Sequence, residues 1–366
     1  MIRIYLDDAG SAPVLPEVER ALRGIPEGNP SSPHAEGRSA RATLDAARDL
    51  VAGALGADRT QVTFTSSGTE AVNLALLGSA RRLPRAGVIV TWAAEHQCVL
   101  AAVRHLQAEG RSVEVAPVDG AARADPASIP RGAVLVSIGL ANNEVGTLQP
   151  VAEVIRLAHD AGALVHVDAC AGLRWSELPA GADLVSISGH KLGAGRGGAV
   201  IVRDGLRLEP LLYGGPQEWG RRAGREDVAA AVALSVAVDV SARERASRSD
   251  SARRQSAWLR STLQELGGIS TGDEPRLPNF ATCTFPDRKG EDMLMALDLA
   301  GIAASSGSAC ASGSLDPSHV LLAMGLELPA ALGSLRLTTG YATSDEEIAR
   351  ARTIISSVLN RTRTHA

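Results

Sequence analysis

Lysine is almost absent from this sequence. Of its 366 residues, 37 are lysine or arginine, and only Lys191 and Lys289 are lysine. A reaction that needs a primary amine on a side chain therefore has two candidate residues. Lys289 lies in a charged, glycine-containing stretch that is typical of a solvated turn, whereas Lys191 follows a strand-like run. Lys191 is therefore the predicted reactive amine.

Cysteine is also scarce, and its spacing excludes two kinds of site. The four cysteines are far apart in sequence: Cys98, Cys170, Cys283 and Cys310. No pair has the C-x-x-C spacing, and no Cys/His cluster has the spacing of a zinc site. We therefore expect neither a disulfide framework nor a bound metal.

The sequence has neither an excess of basic residues nor a long apolar run. Its net charge is −4, which disfavours nucleic-acid binding through bulk electrostatics. Acidic residues occur within the first eight positions, before the apolar core of a signal peptide could develop. The apolar run at residues 228–238 is too short to cross a bilayer. We therefore expect a cytoplasmic protein with no direct nucleic-acid partner and no membrane contact.

The order of apolar runs predicts an α/β fold. Short runs bounded by turn residues alternate with helical patterns, which is typical of repeated β-α-β units around a mostly parallel sheet. The predicted strands are residues 62–65, 88–90, 134–138, 164–167 and 184–187, and the predicted helices are 70–83, 99–109 and 151–161. The chain exceeds one typical hydrophobic core, so we expect two domains.

The second half of the sequence predicts a smaller α+β domain. A mixed-charge stretch at residues 241–260 favours a solvated helix that leads out of the first domain. A strand at 280–285 and later helices follow it. The predicted large domain is residues 13–247, and the predicted small domain is residues 1–12 and 248–366.

Residues 65–70 form a candidate phosphate site. They read Thr-Ser-Ser-Gly-Thr-Glu and join a predicted strand to a predicted helix. Such a junction directs free backbone N–H groups and a helix dipole at one point. The same residue types are the common way to cap any helix, so the junction alone leaves both interpretations open.

The glycines after Lys191 resemble a dinucleotide-binding motif only in spacing. Gly193, Gly195 and Gly198 match the G-x-G-x-x-G pattern. A strand-like run at 198–203 follows them, where that motif requires a helix. We therefore reject a dinucleotide site.

Two residues that suit pyridoxal chemistry follow neighbouring predicted strands. Asp168 closes one strand at the carboxyl edge of the sheet, where open α/β sheets bind ligands. A carboxylate there can keep a pyridinium nitrogen protonated, although an aspartate at a strand end more often only caps the next loop. Lys191 ends the segment Ser-Ile-Ser-Gly-His-Lys after the next strand. A lysine amine can form a Schiff base with pyridoxal and move protons at a substrate's α-carbon.

Cys310 lies in a loop of small residues at 305–314. Small side chains leave the backbone mobile and the sulfur accessible, as a nucleophile that travels between sites requires. Cys98, Cys170 and Cys283 lie in or beside apolar runs, which favours a packing role for them.

Taken in order, these motifs resemble those of the cysteine desulfurases, a family of class V, fold type I enzymes that use pyridoxal 5'-phosphate. The resemblance runs from Tyr5 to Arg336, and the loop around Cys310 is similar to that of the group that serves iron-sulfur assembly. It implies a seven-stranded, mostly parallel sheet, a smaller α+β domain and a homodimer. It also implies that L-cysteine is converted to L-alanine, with a persulfide on Cys310 that passes to a sulfur-acceptor protein.

The resemblance also implies roles for individual residues. Lys191 is the Schiff-base lysine, Asp168 the partner of the pyridinium nitrogen, and His96 a catalytic residue that stacks on the ring. Phosphate-binding and substrate-binding positions complete the set, which comprises Gly68, Thr69, Ser188 and His190 at the phosphate, Asn143 near the ring and substrate, Arg336 at the substrate carboxylate, Asn29 at the entrance and Cys310 at the substrate sulfur.

Two positions depart from the family pattern. Ala171 stands where relatives have a glutamine that bonds the phenolic oxygen of the cofactor. Arg225 stands where they have a threonine that reaches the phosphate in the neighbouring subunit. The missing glutamine favours one alternative, which is another class V reaction such as that of a selenocysteine lyase, a carbon-sulfur lyase or an epimerase. A degenerate, non-catalytic scaffold for sulfur acceptors is a third hypothesis, disfavoured because Lys191, Asp168, His96 and Cys310 are all present.

Overall fold

The computed structural model describes residues 3–307 and 317–361. Its strands are β1 (Ile4–Tyr5), β2 (Val62–Thr65), β3 (Val88–Trp92), β4 (Ser112–Ala116), β5 (Ala133–Gly139), β6 (Leu164–Asp168), β7 (Leu184–Ser188), β8 (Gly198–Val202), β9 (Ile269–Ser270), β10 (Phe280–Thr284), β11 (Ile302–Ala303) and β12 (Ser334–Thr338). Its α-helices are α1 (Pro16–Ala21), α2 (Ala35–Leu55), α3 (Gly68–Ala80), α4 (Gln97–Ala108), α5 (Val151–Asp160), α6 (Gly189–Leu192), α7 (Val228–Glu265), α8 (Gly290–Leu299), α9 (His319–Ala323), α10 (Leu328–Leu332) and α11 (Asp345–Leu359).

Seven strands form the large sheet, in the order β2-β8-β7-β6-β5-β3-β4. Neighbours from β7 to β4 are parallel, and β8 is antiparallel to both β7 and β2. Helices cover both faces of such a sheet, which is why its central strands are nearly continuous apolar runs. The predicted α/β class with a mostly parallel seven-stranded sheet is confirmed.

A smaller sheet has the order β12-β10-β9, and β1 pairs separately with β11. The apolar core beside this smaller sheet includes Leu6 from the N-terminal segment, Phe285 after β10 and Ile355 from α11. The main core of the large sheet is a separate cluster. The predicted domain boundary at residue 247 lies inside the helix α7, and the division at that residue stays a prediction.

Helix α7 corrects the prediction of a solvated helix at 241–260. From residue 249 onward its buried residues include a helical stripe with spacings of three and four, namely Ser249, Ala252, Ser256, Leu259 and Leu263. This stripe packs against the small sheet and α11, while the charged residues occupy the outer face. The mixed charge therefore marks only one side of the helix. Among the described residues, no helix is long and apolar enough to span a membrane.

Six strands of the large sheet run in the same direction and end at one edge. They are every strand except β8, since β3 to β7 are mutually parallel and β2 and β7 are each antiparallel to β8. Helices α3, α4 and α6 begin directly after β2, β3 and β7. Strand β12 brings Arg336 to the same edge from the small sheet. The topology therefore gathers chain segments that are far apart in sequence into one place.

Candidate active site

A cavity of about 560 Å³ lies at this edge of the large sheet. It includes nine of the residues predicted from the sequence, namely Gly68, Thr69, His96, Asn143, Asp168, Ser188, His190, Lys191 and Arg336. The carboxyl edge of a parallel sheet is the usual ligand position in open α/β folds. Cys310 lies outside the described residues, but Gly307 and Pro317, on either side of the undescribed segment, both line the cavity.

One end of the cavity suits a phosphate. Helix α3 begins at Gly68, with the Ser67 hydroxyl accepting the backbone N–H of Glu70 at 3.2 Å. A Cβ at Gly68 would lie 2.7 Å from both Cys170 Sγ and Ser188 Cβ, so only glycine lets the helix start this close to β7. The first N–H groups of α3 and its dipole therefore meet the Ser188 hydroxyl, which favours an anion.

His190 and Lys191 follow β7 in the short helix α6. Ser188 Oγ is 3.0 Å from His190 Nδ1. Burial, followed by the nearby charge of Lys191, lowers the pKa of His190 to about 4. His190 is therefore neutral at physiological pH and offers a hydrogen bond rather than a charge.

Asp168 is a buried carboxylate that faces the same cavity from the end of β6. Its Oδ1 accepts the backbone N–H of Cys170 at 2.9 Å. Only 7% of its surface is exposed, and a carboxylate in that setting is stabilised by a cationic partner. A protonated ring nitrogen is such a partner.

His96 is the N-cap of helix α4 and lines the cavity beside Lys191. Its Nδ1 accepts the backbone N–H of Cys98 at 3.1 Å. The neutral imidazole therefore carries its proton on Nε2. Burial, and after it the charge of Lys191, lowers the pKa of His96, which favours this neutral form.

Arg336 connects the two sheets across the cavity. Its Nη1 donates to the Asn143 carbonyl at 2.7 Å, and its Nη2 donates to Asp7 Oδ1 at 2.9 Å. Its Nε is buried and has no hydrogen-bond partner within the described ranges. Arg336 also lines the cavity, and a guanidinium is the group that best binds a substrate carboxylate.

Two predicted residues do not reach this cavity. Asn29 is exposed, and its Oδ1 accepts the N–H of Ser31 at 3.0 Å. Arg225 is exposed on the segment before α7 and is likewise not among the lining residues. Its acidic neighbours have other partners, since Glu226 pairs with Arg41 at 2.9 Å and Asp227 accepts the N–H of Ala230.

The cavity also contains residues that the sequence interpretation missed. Cys98 and Cys170 line it, which corrects their predicted packing role, whereas Cys283 is buried in the small core as expected. Burial raises the pKa of Cys170 well above its usual value, and nearby Asp168 raises it further. Cys170 therefore stays a thiol and is a poor second nucleophile. Its position two residues after Asp168 was the signal that could have placed it here.

Glu95 is a further missed residue. Its Oε1 accepts the N–H of Gly139 at 2.9 Å, and burial raises its pKa to about 8, with a smaller contribution from Asp168. Ala171 also lines the cavity, at the position of the missing family glutamine. Its methyl group provides no hydrogen bond there.

Comparison with known proteins places this site in a family. A family model described as aminotransferase class-V matches residues 4–350. The chain is 38% identical to cysteine desulfurase IscS 1 of Archaeoglobus fulgidus, over 98% of this chain and 97% of that one. A NifS-like protein has a similar structure, with a TM-score of 0.91 and 30% identity over 98% of this chain and all of that one. A structure of SspA in complex with cysteine gives a TM-score of 0.80 and 28% identity, over 92% and 98% of the two chains.

Proposed function

The chain belongs to the aminotransferase class-V family and, within it, to the cysteine desulfurases, and from that premise we propose that it takes sulfur from L-cysteine with pyridoxal 5'-phosphate bound at Lys191. The observation that carries the proposal is the meeting of Lys191, Asp168 and His96 with the start of α3 in one cavity. The products are L-alanine and a persulfide on Cys310, whose sulfur passes to an acceptor protein.

The residues present fit the cofactor. The Gly68 position, which a Cβ would fill, lets the start of α3 hold the phosphate together with Ser188 and His190. The buried Asp168 carboxylate suits the ring nitrogen, and the Lys191 amine is placed to bond the aldehyde carbon. Pyridoxal phosphate, when bound, supplies an electron sink for negative charge at the substrate's α-carbon.

The residues of the chain would perform the remaining tasks. Arg336, which lines the cavity, holds the substrate carboxylate, and the Lys191 amine takes the α-proton. The Cys310 thiolate attacks the substrate sulfur, the carbon-sulfur bond breaks, and its electron pair stays with the carbon that becomes the alanine methyl group. His96, neutral and protonated on Nε2, stacks on the ring and can donate a proton in the cavity.

The proposal extends to assembly and location. We place the protein in the cytoplasm as a homodimer, with Arg225 directed at the phosphate in the partner subunit. The direction proposed for Arg225 is supported by its exposure and by the pairing of its neighbours Glu226 and Asp227 with other groups. A guanidinium bonds phosphate more strongly than the hydroxyl of the usual threonine.

Lysine replacement tests the cofactor site. In Lys191→Ala we expect no borohydride-reducible cofactor adduct and no alanine from cysteine, because the other lysine, Lys289, is exposed at the start of α8. Lys289→Ala is the matched control and should keep both. An adduct that survives in Lys191→Ala would overturn the assignment.

Cysteine replacement separates the desulfurase from the class V alternatives, which Ala171 favours because the family glutamine is missing. In Cys310→Ala we expect cofactor and cysteine to bind while alanine and sulfide formation are lost, because the thiol acts after the substrate has bound. The measurement is alanine formation with a reductant present. Turnover near the wild-type rate would instead assign a carbon-sulfur or selenocysteine lyase.

A further inference from the structure

His319, the first residue of α9, bonds both neighbours of His96. Its Nε2 lies 2.9 Å from the Glu95 carbonyl oxygen, and its Nδ1 lies 2.9 Å from Gln97 Nε2. A carbonyl oxygen only accepts, so Nε2 is the donor, and Nδ1 then accepts from the Gln97 amide. These two bonds define one neutral tautomer of the His319 ring.

The turn that carries His96 is held from the opposite side as well. The Gly139 N–H donates to the Glu95 side chain at 2.9 Å, and Asn142 Nδ2 donates to the Ala94 carbonyl at 2.9 Å. Gly139 is the last residue of β5 on the large sheet, and Asn142 follows that strand. The backbone at 94–97 is therefore clamped between the sheet and His319.

Helix α9 does not need His319 for its own start. Ser318 caps it, with its hydroxyl accepting the N–H of Leu321 at 3.1 Å. Ser318 also donates to the buried Glu144 carboxylate. Because the cap is already complete, the two bonds of His319 are directed away from its own helix and toward the turn at His96.

We propose that His319 is a positioning residue for His96. By holding the Glu95 carbonyl and the Gln97 side chain, it sets the backbone on both sides of His96 and therefore the direction of the imidazole in the cavity. Both ring nitrogens of His319 are engaged in these bonds, so His319 does not itself exchange protons with the substrate. This inference rests on the proposed function, in which His96 faces the cofactor and substrate.

Side-chain replacement separates the two bonds. His319→Gln keeps a donor at the Nε2 position for Glu95, and His319→Asn keeps an acceptor at the Nδ1 position for Gln97. A misplacement of about 1 Å can cost about 100-fold in rate. We expect His319→Ala to lower kcat for alanine formation by about 10- to 100-fold with KM for cysteine nearly unchanged, and the Gln and Asn variants to recover part of the loss.

Two further measurements make the test specific. Gln97→Ala should lower kcat less than His319→Ala, and the double variant should be no worse than His319→Ala alone, because the two residues share one bond. His105→Ala removes an exposed histidine of α4 and should leave kcat unchanged. Crystal structures of wild type and His319→Ala should show a displaced His96 ring, which is a readout that needs no turnover.

The outcomes are distinguishable from those of the proposed function. A wild-type protein that forms no alanine would refute the desulfurase proposal, and the two crystal structures would still decide the placement of His96. An active wild type with an unmoved His96 ring in His319→Ala, or with equal kcat losses in the Ala, Asn and Gln variants, would overturn the inference about His319.

Discussion

Glu95 illustrates how far a single residue can depart from its chemistry in water. The residue is only 8% exposed, and its carboxyl group lies near a second carboxylate, that of Asp168. Both effects disfavour the charged form. With a pKa of about 8, Glu95 is largely a neutral acid at pH 7, and it supports the turn at His96 through the Gly139 N–H without adding charge beside the cofactor site.

This shift predicts a pH-dependent effect of Glu95→Gln on stability. The pKa of the carboxyl is near 4.5 when unfolded and about 8 when folded. Between these values the folded wild type binds the extra proton, so its free energy of unfolding falls as the pH rises. Glutamine holds no proton and still accepts from Gly139. We therefore expect the free energy of unfolding of the variant to rise relative to that of the wild type from pH 5 to 8. The rise is at most about 1.4 kcal/mol per pH unit.

Urea unfolding of both proteins at pH 5, 6.5 and 8 measures this difference. Glu291→Gln, an exposed position at the start of α8, is the control and should show no such trend. A difference between Glu95→Gln and the wild type that is constant with pH would mean that the carboxyl ionises at its ordinary pKa.

Among the elements of the fold, the junction of β2 with α3 contributes most to building the candidate site. Ser67 caps the helix and Gly68 brings its first turn against β7, so the local sequence supplies both the helix start and the close approach. Neighbouring strands then add Asp168 and Lys191 to the same place. The site is therefore built from the ends of elements, where backbone N–H groups and strand-end side chains converge.

Gly68→Ala tests this junction. The new Cβ would lie 2.7 Å from Cys170 Sγ and Ser188 Cβ, so the start of α3 or the end of β7 must move. We expect the affinity for pyridoxal phosphate to fall by about tenfold or more, which corresponds to about 1.4 kcal/mol. Cofactor titration followed by absorbance is the measurement.

The control for this change is Gly53→Ala in helix α2, where a Cβ meets no atom within 4 Å. It should leave cofactor affinity unchanged and stabilise the helix by roughly 0.5 to 1 kcal/mol. If Gly68→Ala binds the cofactor with wild-type affinity, the start of α3 is not the phosphate site.

At the scale of the whole molecule, the cavity depends on both sheets. Arg336 from β12 bonds Asp7 after β1 and Asn143 after β5. Asp7 and Arg336 are 329 positions apart in sequence. The relative placement of the two sheets is therefore part of the substrate site, because a shift between them would move Arg336 away from the cofactor residues.

We propose that Arg225 extends the site to a second copy of the chain. We expect Arg225→Ala to form an intact dimer that retains pyridoxal phosphate less well, because a charged bond to the partner's phosphate is lost. By linkage, the cofactor should also strengthen dimerisation of the wild type. Sedimentation with and without cofactor, combined with cofactor titration, measures both effects.

Arg243→Ala is the matched control for this prediction, since that exposed arginine of α7 pairs with Asp239 one turn earlier in the same helix. It should change neither dimerisation nor the affinity for the cofactor. Equal cofactor affinity in the wild-type and Arg225→Ala dimers would rule out the phosphate role and leave Arg225 as an ordinary surface cation.

The sequence by itself determined the α/β class and predicted nine residues that the structure brings together in one cavity. Apolar periodicity is a local property, so the runs at 134–138 and 164–167 predicted strands that the structure contains as β5 and β6. Parallel strands end at one edge, so the positions of Asp168 and Lys191 directly after neighbouring strands already indicated a shared site. The scarcity of lysine identified Lys191 without any tertiary information.

Only the tertiary structure decided which face of α7 is buried, that Cys98 and Cys170 line the cavity, and that Glu95 lies in a position that raises its pKa. It also brought His319 to the turn at His96, more than 200 positions away in sequence. Burial and hydrogen bonding depend on which distant segments pack together. A local pattern of residue types does not contain that information, because the same pattern is compatible with several packing partners.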